Sequence, residues 1–74
     1  MPEALKEYIE KESGLQVASV IENRAKVLQS FMRQIVTINR TTYCIRMTHL
    51  MDGRLDVFYY KKTKLEHSME GITE

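Results

Sequence analysis

The stretch that most constrains the fold lies in the second half of the chain, at residues 34–62. It contains three runs rich in β-branched and aromatic residues, a composition typical of β-strands. The predicted strands are Gln34–Ile38, Thr42–His49 and Leu55–Tyr60. Between them lie Asn39-Arg40 and Asp52-Gly53, which have the chemistry of tight turns. The sequence therefore predicts a three-stranded antiparallel β-meander.

The length of the second turn decides which side chains share a face of this sheet. A two-residue loop would mix Arg46 and Thr48 with apolar neighbours. A three-residue loop, with Gly53 in the left-handed conformation, instead places Ile45 opposite Tyr59 and separates apolar from polar residues. We therefore expect the three-residue loop, together with a two-residue turn at Asn39-Arg40.

This register assigns each strand residue to one of two faces. The predicted inner face, which the helices would cover, is Val36, Ile38, Tyr43, Ile45, Met47, Leu55, Val57 and Tyr59. The predicted outer face is Ile35, Thr37, Cys44, Arg46, Thr48, Arg54, Asp56, Phe58, Tyr60 and Lys62.

The first part of the chain is predicted to be helical. Apolar residues at helical spacing indicate a first helix from about Pro2 to Glu12, with Gly14 as its C-cap. A second helix is predicted from Leu15 or Gln16 to Met32. Because residues 17–21 could also alternate as in a strand, a short strand at 15–21 followed by a helix capped by Asn23 is the alternative. The predicted fold is α+β, with two N-terminal helices packed on one face of the meander.

Composition and length limit what such a chain can be. The 74 residues predict a single α+β domain at 1–64, followed by an acidic C-terminal tail at 65–74. A core of this size gives only about 3–5 kcal/mol of stability, so a partner or a second copy would add useful burial. The single cysteine cannot form an internal disulfide, and no apolar run approaches the roughly 20 residues of a membrane span. We therefore expect a soluble, cytoplasmic protein that makes no contact with membranes.

The residues that could carry catalysis or bind metal do not form a recognisable site. Cys44 and His49 fall on opposite faces of the predicted sheet, and His67 lies in the tail. One cysteine and two histidines at these spacings do not make a tetrahedral metal site. The glycines do not form a phosphate-binding loop. The sequence therefore predicts a non-enzymatic protein without a metal, a cofactor or a small-molecule substrate.

The outer face of the predicted sheet is the best candidate for a binding surface. A sheet covered on one side should be mostly polar on the other, yet aromatic and aliphatic side chains lie there among cations. Such mixtures are effective anchors for protein partners. The predicted partner-binding residues are Ile35, Arg46, Arg54, Phe58, Tyr60 and Lys62. We expect another protein, or a second copy in a homodimer, to bind this surface.

Charge distribution supports a second interpretation. The net charge is +1, but residues 33–64 carry seven basic and two acidic side chains, whereas the last ten residues carry three glutamates. Aromatic residues among cations can also stack bases while the cations bind phosphates. The alternative is therefore a small DNA- or RNA-binding regulator. Its predicted contacts are Arg24, Lys26, Arg33, Arg46, Arg54, Lys61, Lys62 and Lys64.

One segment resembles a known family. Residues 5–17, with the sequence LKEYIEKESGLQV, are similar to the first helix and following turn of the phage uracil-DNA glycosylase inhibitors. That family is strongly acidic because it imitates DNA, whereas this chain has a net charge of +1, so no functional residue is carried over. The resemblance implies at most a small phage or mobile-element protein that binds a host enzyme.

Overall fold

In the part of the chain that the structure describes, the protein is an α+β domain in which one helix packs on each face of a four-stranded mixed sheet. A computed structural model describes residues 2–62. The element order is α1 (Glu3–Ser13), β1 (Val17–Glu22), α2 (Arg24–Leu28), β2 (Gln34–Ile38), β3 (Thr41–His49) and β4 (Leu55–Lys61). Lys64 and the predicted acidic tail lie outside the described residues.

The first helix agrees with the prediction. Pro2 precedes it in an extended conformation, and Leu5 and Ile9 are buried against the inner face of the sheet. Gly14 ends the helix in the left-handed conformation, with φ of 73°, and its N–H donates to the carbonyl oxygen of Glu10 at 2.9 Å. A glycine adopts this conformation without the strain that a Cβ atom would cause.

The predicted long second helix is wrong, and the alternative of a strand followed by a capped helix is confirmed. Residues 17–22 form β1, which pairs in parallel with β4 and adds a fourth strand to the predicted three. A register shift between Val17 and Ser19 marks a β-bulge. The bulge places both Val17 and Val20 in the core although they are three residues apart, a spacing that also fits a helix.

The second helix is short and lies on the outer face, so the prediction of two helices on one face is also wrong. It begins after Asn23, whose side-chain oxygen accepts a hydrogen bond from the backbone N–H of Lys26 at 3.1 Å. This is the expected chemistry of an N-cap. α2 connects β1 to β2, which lie at opposite edges of the sheet, and it crosses over β3 and β4 on the way.

The meander has the predicted register. The strand order is β1-β4-β3-β2, with Val36 opposite Tyr43, Ile45 opposite Tyr59 and Met47 opposite Val57. Asn39 and Arg40 both have positive φ, as a two-residue hairpin turn of type I′ requires. The second hairpin has the three-residue loop, since the N–H of Leu50 donates to the carbonyl of Arg54 at 2.8 Å, and Gly53 has a φ of 91°.

The core lies between α1 and the inner face. Six of the eight predicted inner-face residues are buried there, and the remaining two, Ile38 and Met47, are partly buried against them. The buried six are Val36, Tyr43, Ile45, Leu55, Val57 and Tyr59. A second, smaller cluster on the outer face joins Val27 of α2 to Cys44 and Tyr60. The sheet is therefore covered on both faces, although the outer cover is only five residues long.

Candidate interaction surface

The short helix α2 divides the outer face of the sheet into a covered centre and two open flanks. Val27 is fully buried and packs on Cys44 and Tyr60, which are 5% and 7% exposed. Phe58 packs against the edge of this cluster and is half-buried. The two aromatic rings that the sequence places on an open face therefore lie beneath α2 or beside it.

Three cations surround these rings. The guanidinium carbon of Arg24 lies 4.5 Å from the ring centre of Tyr60. The amine of Lys26 and the guanidinium carbon of Arg46 lie 5.6 Å and 6.0 Å from the ring centre of Phe58. Each distance is within the range of a cation–π interaction. We call Arg24, Lys26, Arg46, Phe58 and Tyr60 the cation–aromatic cluster.

A groove lies on the flank of α2 that faces β2. Its volume is about 330 Å³, and it is lined by Phe31, Arg33, Ile35, Cys44, Tyr60 and Lys62. Tyr60 and Cys44 form its buried floor, whereas Phe31 and Ile35 form an exposed rim. The guanidinium of Arg33 donates a hydrogen bond to the carbonyl of Leu28 at 3.5 Å. We call this feature the outer groove.

The two rim residues of the outer groove belong to a run of exposed apolar residues in the chain. Phe31 is 102% exposed and Met32 is 82% exposed, values that correspond to side chains with almost no contact with the rest of the domain. Ile35 and Leu28, at 59% and 46%, lie on either side of this segment in the chain. Four large apolar side chains thus lie close together in the sequence at the crossover from α2 to β2. We call Leu28, Phe31, Met32 and Ile35 the apolar ridge.

The six predicted partner-binding residues are distributed over three places. Ile35, Tyr60 and Lys62 line the outer groove, and Arg46 and Phe58 belong to the cation–aromatic cluster. Arg54 lies apart, in the β3–β4 loop, at the opposite end of β4 from Lys62. There its guanidinium Nε donates to the carboxylate of Asp52 at 2.7 Å.

This turn also perturbs an ionisation. The backbone N–H of Arg54 donates to Asp52, and with the Arg54 side chain it lowers the pKa of the Asp52 carboxyl below its ordinary value of 3.8. The side chain of Asp52 is 52% exposed, so the ion pair shapes the loop and is not part of a buried site.

The residues predicted to contact nucleic acid are also only partly brought together. Arg24, Lys26 and Arg46 converge in the cation–aromatic cluster, and Arg33 and Lys62 line the outer groove. Lys61 pairs with Tyr43 and so lies on the inner side of the sheet. Arg54 is in the distant loop, and Lys64 is outside the described residues.

Phe31 and Met32 were missed as surface residues by the sequence reasoning, which placed them at the end of a buried helix. The signal that could have found them is Asn23, whose capping role fixes the start of α2 and leaves it only five residues long. Residues 29–33 then have to form the connection to β2, where large apolar side chains are not expected to be buried.

Other kinds of site find no support in residues 2–62. Within that range no group of three or more histidine, cysteine or acidic side chains is placed to hold a metal ion. Among the same residues, no helix is long and apolar enough to cross a membrane.

A cavity of about 210 Å³, smaller than the outer groove, lies between α1 and the β2–β3 side of the inner face. It is lined by Tyr8, Ile9, Glu12, Ser13, Gln34, Ile45 and Met47.

Comparison with known proteins does not assign a family. No protein-family model, no curated protein and no solved structure matches the chain.

Proposed function

We propose that this protein is a non-enzymatic interaction or regulatory protein that binds another protein through the β2 flank of its outer face. The observation that carries the proposal is Phe31, a 102% exposed aromatic residue at the rim of a groove. Large exposed apolar surfaces next to polar residues are typical of protein-binding sites. Aromatic residues are also frequent among the few side chains that dominate binding energy.

The charges around the apolar ridge indicate the chemistry of the partner. Arg33 and Lys62 line the outer groove, and the three cations of the cation–aromatic cluster lie on the same face. Complementary potentials favour a partner surface that combines an apolar anchor with surrounding carboxylates. An acidic protein surface of a host cell, bound by a small phage or mobile-element protein, is one partner with this chemistry.

The proposal is tested by placing a photo-crosslinking amino acid at position 31 of the full chain. The matched control places it at Met51, which is 107% exposed but lies in the β3–β4 loop, away from the outer groove. Proteins of the host cell that cross-link only from position 31 are then purified and their affinity is measured by calorimetry. Phe31→Glu should weaken binding at least tenfold, whereas Met51→Glu should leave it within twofold. Equal cross-linking from both positions, or equal binding by both variants, would refute the proposal.

The alternative is binding to DNA or RNA, and the cation–aromatic cluster is the observation that favours it. Because Tyr60 is buried beneath α2, base stacking on its ring would require α2 to move. Phosphate contacts by Arg24, Lys26 and Arg46 need no such movement. Fluorescence anisotropy with random-sequence DNA and RNA, at about 50 and 200 mM salt, measures this activity. Binding that weakens steeply with salt and is lost in Lys26→Glu supports the alternative, and no binding at the lower salt excludes it.

A further inference from the structure

We propose that two copies of this chain associate through their β2 strands, which pair antiparallel and join the two four-stranded sheets into one. The inference goes beyond the proposed function, because it concerns the edge of the sheet and a second copy of the same chain. The two edge strands of the sheet, β1 and β2, differ in the features that protect an edge from pairing with another strand.

The β1 edge has features that discourage pairing with another strand. It contains the bulge between Val17 and Ser19, which interrupts the regular spacing of backbone groups, and it ends at the charged Glu22. Bulges and charges are the usual means by which native proteins protect an edge. β2 has neither, since its sequence is QIVTI and it pairs with β3 residue for residue without a bulge.

The turn at Asn39-Arg40 determines which backbone groups of β2 face outward. A two-residue turn makes Ile38 and Thr41 a hydrogen-bonded pair, and hydrogen-bonded pairs alternate along an antiparallel ladder. Ile38, Val36 and Gln34 therefore bond to β3. The N–H and C=O groups of Ile35 and Thr37 point away from β3, towards the open edge. Another strand pairing here would satisfy them.

The side chains favour a second copy in one particular register. If Ile35 pairs with Ile35 of the second copy, Arg33, the residue before β2, lies opposite Thr37. When Arg33 extends the strand, about six backbone hydrogen bonds form between the copies. Ile35, which is 59% exposed, thereby gains an apolar neighbour. A register with Ile35 opposite Thr37 would instead place each exposed isoleucine against a polar side chain.

The chain offers a matched pair of variants for the test. Ile35 of β2 and Ile21 of β1 are both exposed isoleucines on edge strands, at 59% and 47%. Ile21 pairs with Phe58, so its side chain also lies on the outer face. Sedimentation of the pure full chain should show a dimer that forms with rising concentration. Ile35→Lys should be monomeric, because two ammonium groups would face each other, whereas Ile21→Lys should dimerise as the original chain does. Circular dichroism verifies that each variant is folded.

Two further variants test the register itself. Mixing Ile35→Lys with Ile35→Glu should restore a dimer, because the unlike charges would face each other. Thr37→Glu should tighten the dimer about two- to tenfold by facing Arg33 of the second copy, and Thr37→Lys should weaken it by a similar factor. The expected gain from Thr37→Glu cannot be mimicked by a variant that fails to fold.

Three results would refute the dimer, its place on the sheet or its register. A monomer at all concentrations up to about 1 mM, which corresponds to a binding free energy weaker than about 4 kcal/mol, refutes the dimer. Equal dissociation by Ile21→Lys places the contact elsewhere, and failure of the mixed variants to associate refutes the register. Because these measurements use the pure chain alone, their outcome does not depend on whether the protein has a partner at the outer groove.

Discussion

Val27→Ala is the substitution that most directly tests the role of α2 as the cover of the outer face. Val27 is fully buried, and it packs on Cys44 and Tyr60. The change removes two carbons from the protein interior, at about 0.8 kcal/mol each, so it should weaken the docking of α2 by about 1.6 kcal/mol. The cavity left behind adds to this cost.

The chain contains its own reporter for this docking. Cys44 is the single cysteine, and it is 5% exposed beneath α2. Because Cys44 is almost completely buried at the floor of the outer groove, we expect a thiol reagent to modify it mainly when α2 opens or the domain unfolds. When opening and closing are fast compared with the chemical step, the labelling rate follows the opening equilibrium. Val27→Ala should therefore raise the rate at which Ellman's reagent labels Cys44 by roughly 15-fold.

A control on the same helix separates burial from helix formation. Leu28 is 46% exposed and does not belong to the buried cluster of Val27, Cys44 and Tyr60, so Leu28→Ala should raise the labelling rate less than Val27→Ala does, although it removes a larger side chain. Labelling in dilute urea distinguishes local from global opening, since only global unfolding exposes enough surface to depend steeply on urea. Unchanged labelling in Val27→Ala, or an equal increase in Leu28→Ala, would refute the assignment of Val27 as the anchor.

Three further predictions concern the sheet and its loop. Gly53→Ala should lower the free energy of unfolding by about 1 kcal/mol in urea titrations, because φ of 91° is strained for any residue with a Cβ atom; an unchanged midpoint would contradict this. Burial, followed by the charge of Glu22, raises the pKa of the Tyr59 hydroxyl. The protonated side chain therefore makes its full contribution to stability below pH 10, and this contribution is lost as the pH rises through the pKa of the folded state. Urea titrations at pH 9 and 11 should show that Tyr59→Phe loses less stability at the higher pH than the original chain does. The ionised carboxylate of Asp52, whose pKa is lowered, contributes to stability above pH 3.8, and this contribution is lost as the pH falls through the pKa of the folded state. Thermal melts from pH 7 to 2 should show that Asp52→Asn removes this part of the loss of stability in acid. An identical dependence of stability on pH in both proteins would contradict the prediction.

The meander could be predicted from the sequence because several local signals agree there. The period-two alternation, the Asn39-Arg40 turn and the Asp52-Gly53 turn all require one register, and the structure has that register. The inner face follows from it directly, since a shift of one residue would reverse every side chain.

The first strand could not be predicted with the same certainty, for a physical reason. In a regular strand Val17 and Val20 would point to opposite faces, but the bulge brings both into the core. The resulting spacing of three is also the spacing of a helix. The pairing of β1 with β4, across the intervening α2, β2 and β3, is moreover a tertiary contact, which local propensity does not encode.

The surroundings of the outer face could be predicted from the sequence only in part. The outer face was expected to be open, and an exposed apolar ridge does lie beside it, at Leu28, Phe31, Met32 and Ile35. The burial of Tyr60 depends on Val27, which only the position of α2 reveals. Phe31 and Met32 depend in turn on how short α2 is. One error in helix length therefore changed the surroundings of all three residues.

The parallel pairing of β1 with β4 also sets an order for folding during synthesis. The side chains of Ser19 and Asp56, which hydrogen-bond at 2.8 Å, are 37 residues apart in the chain. At about 5–20 residues per second, the ribosome needs roughly two to seven seconds to make the strand that β1 requires. During that interval Val17 and Val20 have no sheet to join. The nascent chain thus presents an unpaired apolar strand until β4, the last strand within residues 2–62, has been made.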